Sequence, residues 1–192
     1  MRPTNTLVLM IAFLVVLAGQ AVVAEDGHQA EYVAAVSDYY EVSLDAVQSI
    51  LDAGVSPEEL PVLFHIAERS NASPVELTTA RTQGKSWHQI AAAYDVTAAD
   101  FYVYCADRVS SAAFGSIYAK FADLKRGEFN QVQLTDTDIV NLTNLRFLYR
   151  HYNYSQRLIM NWAGEGKGFA EINQMVYVAT TQMRSKHLAE ND

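Results

Sequence analysis

Arg146, Arg150 and Arg157 recur at spacings of four and seven residues, with Asn153 between them and Tyr149, Tyr152 and Tyr154 alongside. If one helix carries all three arginines, they share a face. Planar, permanently charged guanidinium groups next to tyrosines suit an anionic ligand or the acidic surface of a partner protein. They suit equally an internal role against the acidic first half of the same chain. Trp87 and His88, adjacent at the start of another helical pattern, form a second candidate, the wall of a ligand pocket. The candidate binding residues are therefore Arg146, Arg150, Arg157, Tyr149, Tyr152, Trp87 and His88.

Catalytic chemistry finds less to stand on. The five histidines (His28, His65, His88, His151, His187) show no metal-ligand spacing, and the single Cys105 brings no second thiol. Glu58-Glu59 and Asp136-x-Asp138 are paired carboxylates, but both pairs fall in first turns of helical patterns, where acids complement the helix dipole. No serine sits in a nucleophile elbow and no glycine-rich phosphate loop occurs. No catalytic residue, metal or cofactor is expected. An enzyme would need a composite site, drawing on His88, His151 or the arginine stripe.

Charge is divided unevenly along the 192 residues, whose formal net charge is −8. Residues 25–100 hold thirteen acidic and three basic side chains, while residues 101–192 hold nine acidic and ten basic ones. An acidic first half disfavours a phosphate-backbone partner, so nucleic acid is not an expected ligand.

The chain begins Met1-Arg2-Pro3, continues with an apolar run from Leu7 to Ala18, and reaches Val22-Val23-Ala24. This is the layout of a secretory signal peptide over residues 1–24, too short in its apolar run for the ~20 residues a bilayer requires. The expected product is residues 25–192, secreted or periplasmic, with no stable membrane span. One cysteine excludes an intramolecular disulfide, so this fold must rest on its packed core.

The elements that would position the candidate residues read as helices throughout. Apolar residues recur at helical spacing from Tyr32 to Tyr40, from Leu44 to Leu51 and from Leu60 to Ala67. Ser56-Pro57-Glu58-Glu59, Ser73-Pro74-Val75-Glu76, Ser86-Trp87-His88-Gln89 and Thr97-Ala98-Ala99-Asp100 read as capping boxes, a sign of short helices joined by tight turns. Pro61 is expected to remove a hydrogen bond or bend its helix. Thr135 to Asp138 caps a longer helix through Leu142, Leu145, Leu148 and Tyr152.

Two stretches also look like copies. An offset of 82 superposes Leu60 on Leu142, Leu63 on Leu145, Asn71 on Asn153 and Ser73 on Ser155. It also carries Leu77 to Ile159, Gly84 to Gly166, Lys85 to Lys167, Trp87 to Phe169 and Ile90 to Ile172. The Asn-x-Ser and Gly-Lys pairs weigh most, because turn residues do not align merely through helical periodicity. Asn71, Asn141 and Asn153 also satisfy the glycosylation pattern, but capping explains the first and third.

Gly84 to Tyr104 resembles the helix-turn-helix pattern of many bacterial DNA-binding proteins: a capped helix with Ile90-Ala91, a short turn, a Val96-Thr97 step and a following helix. The resemblance implies a recognition helix from Ala98 to Tyr104. That segment carries Asp100 and no Lys or Arg for base edges and phosphates, and Asp95 stands where glycine is commonest. The segment is therefore expected to be scaffold.

The expected fold is all-α: a compact bundle of about eight to ten short helices, one domain over residues 25–192 with repeat halves at about 37–105 and 118–187. The expected function is an exported, non-catalytic interaction or binding module, whose partner is a protein or a small ligand. The alternatives are a carrier holding an apolar ligand between its helices, for which eleven tyrosines and eight phenylalanines supply wall material, and the composite-site enzyme.

Overall fold

A computed structural model describes residues 27–105 and 111–191, and residues 1–24, expected to be a signal peptide, lie outside the described residues. These residues are helical with no strand among them. The helices are α1 (residues 27–39), α2 (Leu44–Asp52), α3 (Leu60–Ser70), α4 (Pro74–Thr82), α5 (Trp87–Ala93) and α6 (Ala98–Phe101). There follow α7 (Ala112–Ala119), α8 (Asp136–Tyr152), α9 (Gln156–Gly164) and α10 (Phe169–Asn191), with 3₁₀ turns at Pro57–Glu59 and Arg126–Gln131.

The turns repeat one solution. After α1, α2, α4, α5 and α9 the chain enters a left-handed residue at Glu41, Gly54, Gly84, Asp95 and Gly166. At each, that residue and the next donate backwards to the last helical turn, as Gly84 does to the Arg81 carbonyl (2.9 Å) and Lys85 to Ala80 (3.2 Å). These are Schellman ends, which satisfy carbonyls that the helix leaves unpaired. Asn71 and Asn153, at φ 56° and 51°, stop α3 and α8 in the same left-handed region. Positions 82 residues apart share left-handed backbone at Asn71 and Asn153 and at Gly84 and Gly166, and α4 and α9 between them each run nine residues, whereas α3 and α8, and α5 and α10, differ in length. The structure adds a match 30 residues upstream of the first: Glu41, Ser43, α2, Gly54 and Ser56 correspond to Asn71, Ser73, α4, Gly84 and Ser86. Side-chain chemistry hid it, because a glutamate rather than Asn or Gly occupies the first left-handed position.

α8 is the central element. From Asp138 to Leu148 it is buried on most of its circumference, and it packs on α3, α5, α6, α9 and α10. Ile139, Leu142, Leu145, Phe147 and Leu148 join the core with Leu60, Leu63, Ile66, Leu77, Trp87 and Phe101. Among its buried polar groups, Asn144 donates to the carbonyls of Glu58 and Val140, both at 2.9 Å, and accepts from the fully buried Tyr32 hydroxyl. The α10 N-terminus is capped from outside. Gly168 occupies the position 82 beyond the capping Ser86 but has no side chain, and Glu58 accepts from the Phe169 N–H at 2.6 Å instead. A Cβ on residue 168 would meet that carboxylate at 3.2 Å.

Three expectations change. The arginine stripe is not one face, because Asn153 ends α8 and places Arg157 on α9. Pro61 breaks nothing, because α3 starts at Leu60 and its second residue has no intrahelical partner to lose. Ser73 caps α4 by accepting from the Val75 N–H (3.3 Å), without the reciprocal arm from Glu76.

Glu41 carries a side chain in a conformation that favours glycine, so Glu41→Gly should raise the unfolding free energy by on the order of 0.5–1 kcal/mol. Gly84→Ala should lower it by about 1 kcal/mol. Urea denaturation of the two variants checks both signs.

Candidate functional site

Arg146 enters the core from the middle of α8 and is only 6% exposed. Its Nη2 donates to the carbonyl oxygens of Asp100 (2.6 Å) and Tyr102 (3.0 Å), so it closes the end of α6 from a distant helix. α6 is a single turn, and its Asp100 side chain accepts from the Thr97 N–H (2.9 Å) as a cap. The stretch resembling a recognition helix is therefore held inward through its backbone.

His65 Nε2 lies 3.0 Å from the same Asp100 carbonyl. Burial, reinforced by the positive charge of Arg146, lowers its pKa to about 3, so the ring is neutral near pH 7. A carbonyl only accepts, which puts the proton on Nε2. Arg69, in the last turn of α3, and Arg150, in the last turn of α8, approach the same place. With Tyr39, His65, Glu68 and Arg146 they line a cavity of about 210 Å³. Glu68 and Arg150, 82 residues apart, line this cavity with opposite charge.

The other candidate residues lie elsewhere. Tyr149 sits on the surface of α8, and Arg157 on the exposed side of α9. Tyr152 donates to Asn173 Oδ1 at 2.9 Å, and burial pushes its phenol up to about 12. Trp87 is fully buried, whereas His88 is exposed at the rim of a groove shared with Asp95, Thr97 and Gln133. Of the seven, the structure brings together only Arg146 and Arg150. It adds Arg69, His65, Glu68 and Tyr39, which sequence reasoning missed. No spacing in the sequence signals that these four side chains converge with Arg146 and Arg150, because the six come from α1, α3 and α8.

A second polar centre ties helix ends together. Arg81 donates to Glu59 through Nε (2.9 Å) and Nη2, to Asp136 Oδ2 (3.0 Å) and to the Lys85 carbonyl (3.0 Å). Its guanidinium carbon stands 5.1 Å from the centre of the Trp87 ring, and Trp87 Nε1 donates to Glu59 at 2.8 Å. The paired acids of the sequence are thus spent in capping and bridging. No group of three or more His, Cys, Asp or Glu suited to a metal occurs among the described residues.

The capping carboxylates share an electrostatic signature. Burial alone would raise Glu59, Asp100 and Asp138, but hydrogen bonds outweigh it and hold all three below the usual carboxylate range. The donors are Trp87, Ser56 and Arg81 for Glu59, Thr97 for Asp100, and Lys120 with Thr135 for Asp138. A depressed folded pKa contributes stability that is present above the unfolded value of about 4 and lost as pH falls through the folded one. Melting temperature should therefore hold above pH 5 and fall steadily below pH 4. Arg81→Ala should cost about 2 kcal/mol at pH 7 and make the acid-side fall shallower. Thermal melts of both proteins from pH 7 to pH 2.5 test this, and a flat profile down to pH 3 would contradict it. Comparison with known proteins finds no family model, curated protein or solved structure that matches this chain.

Proposed function

We propose that the protein is an exported, non-catalytic helical binding module, a single domain with two related halves, which meets its partner through the outer half of α10. The observation that carries this reading is the exposure of apolar side chains along that helix. α10 runs 23 residues, about 34 Å, and its apolar side chains beyond Val176 face solvent. Tyr177, Val178, Met183 and Leu188 are between 41% and 68% exposed. These four side chains are spread around the outer turns of α10, and together they offer apolar area for a partner to cover. Tyr177 continues inward to a groove of about 470 Å³ between α1, α8 and α10, lined also by Asp38, His151, Thr181 and Arg184. No helix among the described residues is long and apolar enough to cross a membrane.

Two measurements test the proposal. N-terminal sequencing of the protein from its own host should find the chain starting at Glu25, and a start at Met1 would remove export. Native mass spectrometry of the same material should find a bound protein or peptide, lost in a Met183→Asp, Leu188→Asp variant that melts as the unaltered protein does. A bare chain, or a partner retained by the variant, would overturn the α10 surface. A bound lipid would favour the carrier.

A further inference from the structure

The cavity between the last turns of α3 and α8 gathers three guanidinium groups, from Arg69, Arg146 and Arg150, against a single carboxylate, Glu68. Among the described residues, none of the three arginines has a carboxylate within 4.0 Å. Like charges held this close repel, and those of Arg69 and Arg150 weigh on the buried Arg146. Helix-end placement accounts for Arg69 and Arg150 taken singly, since cations complement the C-terminal dipole. It does not account for Arg146, which enters from mid-helix. Nor does it account for the Nε of Arg146, a buried charge-assisted donor that has no hydrogen-bond partner although Nη2 is fully used. A buried donor without an acceptor is costly, and this Nε has almost no accessible surface; Nη1, which makes no hydrogen bond among the described residues and is not enclosed, is the donor an anion in the cavity would reach.

We propose that this cavity is a binding site for a small doubly charged oxyanion of the phosphate or sulfate class. Arg146 forms its buried floor, Arg69 and Arg150 close on it from the two helices, and the Tyr39 hydroxyl is available as a neutral donor. Charge selects the class. His65 is neutral, so three guanidinium groups less one carboxylate leave two positive charges, which a dianion neutralises and a monocarboxylate does not. The volume of about 210 Å³, open to solvent on one side, suits an inorganic anion, or the phosphate end of a larger ester whose remainder stays in solvent. Glu68 faces the ligand as the one repulsive group and sets how tightly it is held.

The site is independent of the α10 surface, and the experiment separates them. The exported protein, in chloride buffer of constant ionic strength, is titrated by calorimetry with sodium phosphate, sodium sulfate, glycerol 3-phosphate and acetate. Saturable binding of phosphate or sulfate at one site per chain is expected, with acetate much weaker. Arg69→Gln and Arg150→Gln, both at solvent-facing positions and expected to fold, should each weaken binding about tenfold, and Glu68→Gln should tighten it severalfold. Equal or tighter binding of glycerol 3-phosphate would assign the site to an esterified phosphate. The Met183→Asp, Leu188→Asp variant should bind as the unaltered protein does. Absence of saturable binding, or binding unchanged by Arg69→Gln and Arg150→Gln, would overturn the proposal.

Discussion

One guanidinium holds four parts of the chain in place. Arg81, at the end of α4, reaches the carboxylate of Glu59 before α3, the carboxylate of Asp136 at the start of α8, the Lys85 carbonyl and the face of Trp87 at the start of α5. Helix ends carry unpaired backbone groups and partial charges, and a domain of short helices has many of them in little space. A planar group with five donors can serve several at once, which a lysine cannot. The geometry is closed by Trp87, whose buried ring stacks beneath the arginine while its N–H shares the Glu59 oxygen. Without this centre, the helix starts that flank the core would each depend on their own weak caps.

The architecture was legible where backbone chemistry is written in a single letter. Gly84, Gly166, Asn71, Asn153 and the capping serines and threonines marked helix ends correctly, because few residues tolerate left-handed backbone or supply a capping oxygen. Glu41 takes the same conformation without advertising it, and the earliest occurrence of the motif went unseen for that reason. In that turn the tertiary packing of neighbouring helices decides the backbone, and the local residue bears the strain.

Function was less legible, for a different reason. Spacing along one helix says nothing about which helix lies opposite. Arg146 and Arg150 were visible as a pair, but Arg69, His65 and Tyr39 come from elements that only packing brings near. Arg146 also shows how one residue can answer two questions: it closes α6 through the Asp100 and Tyr102 carbonyls and still leaves Nε unused. The Asn153 break, readable as a cap, was the clue that Arg157 belongs to another face.

The carboxylate of Glu58, which caps α10 at Phe169, bridges 111 positions of sequence, and the Tyr32–Asn144 contact bridges 112. Neither closure can form until the later partner has been synthesised. At about 5–20 residues per second, the ribosome leaves roughly 6–22 s between residue 58 and residue 169. For most of that interval the first half of the chain lacks its central helix, and through all of it the α10 cap is missing. A nascent chain in that condition stays open for as long as its last third is missing.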